Sequence, residues 1–495
     1  MEKNDWLAIT FILLYSTTLF FLINPDKTLN WDESVHALPG LFYIDFLHEG
    51  GNYLEYVAKY HQRYPVIYSL FKYPQLYELT TIPLYALFGQ SVITSTLPTL
   101  MFGAIALCFL YLFAKQHSNS GAALLSIITL AALPLTIRLS TEVMQDNAKQ
   151  ALTIIWLYYF FKKKDFSWKK TGVQGVILAY LTFSRNLALP IMASIVIAYS
   201  FLKTVSKKKL ETQTLKRFLP QLIIALILVS PWYYMSLIRA GFLQTMFELG
   251  TSANENAFPF YEKEIILETG LLAPLMLWGA YKLHKKEKGT CLILLAVFLG
   301  TLFFGDLLPH KRLRYMTQVF LPLSIWAGYG IQNLFRKNKI TAPLIIAILI
   351  FSFYNGFVRQ QAEISVTDVE ETINKINPGK DDLIIYFLNN RIDYGKASPE
   401  AVMLELMKNE KSTKPSEMPY LAVSQFDKED LSPEKMGLIL KNTVTFPELQ
   451  GYENVYLAYY EQDGEVKAFV QNLFPEQPKI QGENLTILLF EKQKR

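Results

Sequence analysis

The sequence predicts a membrane all-α helix bundle followed by a soluble α/β domain. Three observations carry this. Of 495 residues, 51% are hydrophobic and only 18% are charged. The apolar residues gather into about eleven runs, most near the roughly 17–25 residues a bilayer crossing needs. After Phe357 the composition turns charged. The length alone has room for several soluble domains, but the long apolar stretches argue for a polytopic membrane protein. The expected division is 1–358 for the membrane domain and 359–495 for the second domain.

The expected spans lie near 6–23, 95–114, 121–138, 147–161, 171–187, 188–203, 217–238, 265–283, 289–308, 316–335 and 340–358. No small-residue cleavage site follows the first run, so it reads as a retained anchor. The segment "YPVIYSLFKYPQLYELTTIPLYALFG" (64–89) is aromatic and apolar. Counting it as a span reverses every later loop. It reads instead as one or two interfacial helices whose tyrosines keep one end wet, with Pro65 and Pro74 starting or breaking them. The run at 171–187 contains Arg185, and an ionisable residue inside a span calls for a partner.

Beyond residue 358, "DLIIYFL" (382–388), "YLAVSQF" (420–426), "NVYLAYY" (454–460) and "LTILLFEK" (485–492) have strand length. They alternate with helical stretches near 367–376, 398–409 and 432–442. That alternation predicts a small α/β domain with a largely parallel sheet. Cys108 and Cys291 lie inside apolar runs and read as small core hydrophobes.

The net charge of +5 is modest, and its placement says more than its size. "KKKDFSWKK" (162–170), "KTVSKKKLETQTLKR" (203–217), "KLHKKEK" (282–288) and "RKNK" (336–339) are basic loops. The positive-inside rule makes these cytoplasmic. The N-terminus then lies inside. Residues 24–94, 139–146, 239–264, 309–315 and everything after 358 lie outside. The protein is expected in an inner or plasma membrane, with an extracytoplasmic C-terminal domain. One outer loop, "PHKRLRY" (309–315), is basic where topology gains nothing from basic residues.

The acids complete the pattern. "LNWDESVHALPG" (29–40) follows the first span and holds Asp32, Glu33 and His36. "RLSTEVMQDNAKQALTI" (138–154) holds Arg138, Glu142 and Asp146. Asp32 and Asp146 could each be no more than a helix N-cap. His310, Lys311, Arg312 and Arg314 could be headgroup contacts. Together, however, they put carboxylates and cations on one membrane face. A carboxylate can take a proton from an acceptor hydroxyl, while cations hold and neutralise a departing lipid phosphate. There is no Rossmann fingerprint or P-loop, which suits a lipid-borne donor. The rival class is a transporter or flippase for a lipid-linked or anionic solute. No internal repeat supports it. A scaffold for polymer assembly is a third class, and the outer domain leaves it open.

The same motifs resemble the GT-C superfamily of polyprenyl-phosphate-dependent glycosyltransferases. The likeness is to the branch of protein O-mannosyltransferases and the lipid A aminoarabinose transferase, and it covers residues 1–335. "WDESVHALPGLFYIDFLHEG" (31–50) resembles that branch's Asp-Glu motif after the first span. "KYPQLYELTTIPLYALFG" (72–89) resembles its tyrosine-proline-proline-leucine segment, with Gln75 at the second proline. "PHKRLRYMTQVFLPLSIWAGYGI" (309–331) resembles its His-Lys-Glu-x-Arg-Tyr segment, with Arg312 in place of Glu. The second acidic loop aligns Asp146 with the second family aspartate.

The resemblance implies an inverting transferase with a sugar donor on a polyprenyl or dolichyl monophosphate. The acceptor would be a lipid, protein or glycan hydroxyl, and nucleic acid has no part. Asp32 is then the expected general base, and Asp146 supports the site or the acceptor. Glu33 and Glu142 are the secondary acids. His310, Lys311, Arg312 and Arg314 are the expected phosphate ligands, with His36, Arg138 and Arg185 as further candidates. No cofactor is required, although paired carboxylates leave a divalent metal open. The topology has a direct test. Cysteines replacing Asp165 and Lys285 should be shielded from an impermeant thiol reagent in intact cells, and one replacing Asp430 should be labelled. The reverse pattern would sink the topology.

Overall fold

The computed structural model describes residues 2–25, 27, 29, 31–53, 55–57, 76–162, 167–185, 188–208, 212–234, 260–307, 312–337, 340–363, 369–376, 378, 382–389, 402, 420–426, 455–460, 467–468, 479–481 and 485–490. The chain divides into two compact units. One holds residues 1–23, 71–77 and 96–363. The other holds 24–70, 78–95 and 364–495.

The helices in order are α1 (Lys3–Leu22), α2 (Trp31–Glu49), α3 (Leu76–Phe88), α4 (Val92–His117), α5 (Ser120–Ala131), α6 (Pro134–Thr141), α7 (Asp146–Phe161) and α8 (Trp168–Ser184). They continue with α9 (Ala188–Lys207), α10 (Gln213–Tyr233), α11 (Phe260–Thr269), α12 (Ala273–Lys286), α13 (Lys288–Asp306), α14 (Phe320–Lys337), α15 (Thr341–Glu363) and α16 (Val369–Ile376). Among the described residues, six helices are long and apolar enough to cross a membrane, or seven if one bent pair counts as a span. The chain is therefore an integral membrane protein.

Several of the roughly eleven expected spans fall short of that length and apolarity among the described residues. α7 and α8 have 16 and 17 residues, at or just below the lower limit for a crossing. The run at 121–138 is two helices, α5 and α6, bent by 67°. Pro134 begins the second. Proline cannot donate at that point, and the adjacent Leu135 N–H is accepted by the buried carboxylate of Glu268. The run at 265–283 is also broken, at a short 3-10 turn (Gly270–Leu272) between α11 and α12. Gly270 has φ +46°, a backbone that disfavours any side chain. The 316–335 run opens with a 3-10 segment, Leu313–Val319, before α14. Arg185 sits in extended backbone just past α8, outside a helical span.

The first unit packs as membrane bundles do, through small residues and interhelical hydrogen bonds. Trp156 of α7 donates to Gln221 of α10 at 3.0 Å, and Gln221 donates to Gln174 of α8 at 2.7 Å. Gly279 of α12 lies against the main chain of Trp326 in α14, and Gly328 lies against Ser126 and Ala122 of α5.

Among the described residues of the second unit, five strands form one sheet: β1 (Leu383–Asn389), β2 (Tyr420–Phe426), β3 (Val455–Tyr460), β4 (Lys479–Gln481) and β5 (Leu485–Phe490). Their order is β2-β1-β3-β5-β4. β1 pairs in parallel with β2 and β3, whereas β5 is antiparallel to both β3 and β4. The sheet is thus mixed, where the strand–helix alternation predicts a largely parallel one. The three-residue β4 is too short to leave a periodicity. Helix α16 falls on the expected 367–376 stretch. The stretches near 398–409 and 432–442, like Pro65 and Pro74, lie outside the described residues.

The helix contacts yield a stability prediction. A methyl at Gly279 would overlap the Trp326 carbonyl, and both atoms belong to helix main chains that cannot yield cheaply. Gly279→Ala should cost about 1–3 kcal/mol by overpacking. Gly289→Ala meets nothing within 4 Å and should melt like the parent protein in detergent. Equal melting of the two variants would show that this close approach does not exist.

Candidate active site

α7 begins at Asp146, the first helical residue and not its cap, which is Gln145. A carboxylate there meets the positive end of the helix. It is fully buried. One turn along the same face, the ammonium of Lys149 lies 3.1 Å from Asp146 Oδ1. Lys149 is also fully buried. Its Nζ donates to the main-chain carbonyls of Arg314 at 2.9 Å and Tyr315 at 3.0 Å. Gln150 donates to the Thr317 carbonyl at 3.2 Å. These bonds stitch α7 to the 3-10 segment.

Two guanidinium groups complete the cluster. Arg185 lies over the Tyr315 ring, 4.8 Å from its centroid, and Arg314 lies 5.7 Å from the same centroid. A cation over an aromatic face is stabilised by the ring quadrupole. Both arginines and Lys149 act electrostatically on the Asp146 carboxylate. Three cations thus gather about one buried carboxylate, and guanidinium groups so placed could also receive an anionic ligand.

The neighbouring acid has a different setting. Arg138 Nε donates to Glu142 Oε1 at 2.8 Å, an i,i+4 pair on α6 and its end. Arg138 is about half exposed and Glu142 is nearly buried. This pairing gives Glu142 and Arg138 each a partner on the same short stretch of chain. Arg312 is exposed. Arg314 is not the loosely held loop residue its position predicts, because its main chain is tied to Lys149 and its Nη1 reaches Met144 Sδ at 3.5 Å. His310 and Lys311 lie outside the described residues.

In the second unit, Asp32 and Glu33 occupy the first turn of α2, and neither is the cap. Glu33 is buried and accepts from Lys27 Nζ at 2.6 Å. Asp32 is half-buried. His36, one turn on, places Nδ1 3.0 Å from Glu78 Oε1 of α3, and both side chains are buried. Gly40 lets α2 approach Thr81 and Tyr85 of α3. Among the described residues, no three His, Cys, Asp or Glu side chains gather as a metal site.

Residues 74–235 match the family model described as dolichyl-phosphate-mannose-protein mannosyltransferase. The bovine (Bos taurus) GPI alpha-1,2-mannosyltransferase 3 is 23% identical over 286 residues, covering 55% of this chain and 50% of the relative. The chain thus spans about half the length of the curated relative it matches. Among solved structures, ArnT from Cupriavidus metallidurans bound to undecaprenyl phosphate superposes with a TM-score of 0.65 at 11% identity, covering 99% of this chain and 98% of that one. The oligosaccharyltransferase AglB from Archaeoglobus fulgidus, in complex with an inhibitory peptide and a dolichol-phosphate, gives 0.57 at 10% identity, covering 95% and 71%.

The chain has the fold of the ArnT and AglB structures, and residues 74–235 are similar to the protein mannosyltransferase family.

Two residues of the site region escape a motif reading. Lys149 looks like a stray charge in an apolar run, and Glu78 like a polar residue on an interfacial helix. The available signal was their position: Lys149 is one helical turn from Asp146, and a buried lysine there demands an anion. Glu78 has no such local sign, because its partner is 42 residues away. Removing one member of the His36–Glu78 pair strands the other in a buried setting. Glu78→Ala and His36→Ala should each lower stability by about 1–3 kcal/mol. The double variant should lose clearly less than the sum, read from thermal melts of all four proteins. Strict additivity would deny the contact.

Proposed function

We propose that this chain is an inverting glycosyltransferase of the GT-C superfamily that moves a sugar from a polyprenyl or dolichyl monophosphate to an acceptor hydroxyl. The reaction takes place on the extracytoplasmic face, with residues 1–358 as the transferase domain and residues 359–495 as a separate outer domain. The observation that carries the reading is the gathering of the buried Lys149 and Arg185 and the half-buried Arg314 around the buried acid Asp146. Guanidinium groups placed so suit a lipid monophosphate. The likeness to an ArnT structure bound to undecaprenyl phosphate supports the same ligand class.

In this reading Asp32 accepts the proton of the acceptor hydroxyl as that oxygen attacks the anomeric carbon. The bond from that carbon to the phosphate oxygen breaks, and its electron pair leaves with the lipid phosphate. Attack opposite the leaving group inverts the centre. Arg185 and Arg314 hold the phosphate and neutralise its growing charge, joined by His310, Lys311 and Arg312 of the same loop. Arginine suits this task because its fork of donors matches two phosphate oxygens. Asp146 keeps the arginines in place before the donor binds. Glu33 is held by Lys27 and is the reserve base.

Two substitutions separate the roles, assayed with radiolabelled lipid-phosphate sugars and envelope extracts as acceptors. Asp32→Asn keeps the shape of the side chain but not its basicity. Turnover should fall by roughly 10²–10⁴-fold. Melting should change little, because a first-turn carboxylate contributes only about 0.3–1 kcal/mol through the helix dipole. An active Asp32→Asn enzyme would remove Asp32 as the base. Arg314→Ala should weaken binding of undecaprenyl phosphate by the ~1.5–3 kcal/mol of a charged hydrogen bond. Unchanged affinity would move the phosphate site elsewhere.

A further inference from the structure

Lys149 has geometry that suits neither a substrate ligand nor a simple counter-ion. An ammonium has three N–H donors. All three are engaged: one by Asp146 Oδ1, one by the Arg314 carbonyl and one by the Tyr315 carbonyl. The side chain is fully buried, so no donor remains to meet a ligand.

The segment it grips is irregular: Leu313–Val319 is a 3-10 stretch with Met316 at non-helical φ −110°, ψ 24°. Lys149 ties this stretch to another helix through two main-chain carbonyls. The two residues it grips by their main chain are those whose side chains form the cation–ring stack: the Arg314 guanidinium and the Tyr315 ring under Arg185.

We propose that Lys149 is a positioning residue for the donor phosphate, fixing the arginine-bearing segment against α7 and against Asp146. This rests on the reading of Arg185 and Arg314 as phosphate ligands. One side chain sets the spacing between the acid and the arginines. Displacements near 1 Å at a catalytic site can cost roughly 10²-fold. Lys149 therefore acts on the donor through Arg314 and Tyr315, without touching it.

The test compares Lys149→Met, the double variant Lys149→Met/Asp146→Asn and Arg314→Ala in purified full-length protein. Lys149→Gln, which keeps N–H donors, stands in if Lys149→Met fails to fold. Two quantities are read: amide hydrogen exchange across 313–319, and affinity for undecaprenyl phosphate. The expected result is faster exchange in both Lys149→Met proteins and lipid affinity reduced towards that of Arg314→Ala. Adding Arg314→Ala to Lys149→Met should then lose little more, since both act on one contact. Restored protection in Lys149→Met/Asp146→Asn would overturn the proposal, because it would make Lys149 only a counter-ion. Unchanged exchange and affinity in Lys149→Met would overturn it as well. Faster exchange together with an Arg314→Ala protein of normal lipid affinity would support the anchor and refute the phosphate reading.

Discussion

A buried ammonium is the constraint on which the first unit depends. Taking Lys149 out of water is tolerable only with full compensation, and three acceptors supply it. Satisfying it forces Asp146 to the start of α7 and brings the kinked 313–319 segment against that helix. With the segment come Arg314 and Tyr315, and the Tyr315 ring carries Arg185 from the end of α8. Three stretches far apart in the chain are thereby tied to one polar centre.

Around that centre the bundle obeys a rule special to membranes. Lipid offers helices no hydrophobic gain for associating, so close packing and hydrogen bonds do the work. The chain of Trp156, Gln221 and Gln174 links three helices through side-chain hydrogen bonds alone. Glycines at α12, α13 and α14 let helix main chains approach each other. The breaks at Pro134 and Gly270 fit the same account, because the orphaned backbone donor at Leu135 is met by Glu268 from the helix preceding the second break. Irregular backbone in an apolar bundle survives where a side chain completes its hydrogen bonding.

In the second unit, α2 shows how one short motif serves two purposes. Glu33 and His36 each have an ionic partner, Lys27 and Glu78. Asp32 shares the first turn with Glu33 but is half-buried, so the paired acids have different settings. The same division appears in the other acidic loop. There Glu142 is bound to Arg138 on its own helix, while Asp146 faces cations brought in from two other segments.

The sequence by itself determined what period and composition can carry. Apolar runs placed most helices to within a few residues, and four strand-length runs fell on β1, β2, β3 and β5. The acid motifs and the Arg–Tyr pair at 314–315 were legible because they depend on local order and spacing. Tertiary structure decided the rest. Whether 121–138 and 265–283 are single spans rests on how backbone breaks at Pro134 and Gly270 are compensated. Parallel or antiparallel pairing of β5 rests on how the chain returns. Which acids are structural rests on partners distant in sequence, such as Glu78 for His36. Lys149 is the sharpest case. In the sequence it is one charge interrupting an apolar run, and its meaning comes from two carbonyls some 165 residues away. A hydrogen bond to main chain leaves no mark on the identity of the residue that accepts it.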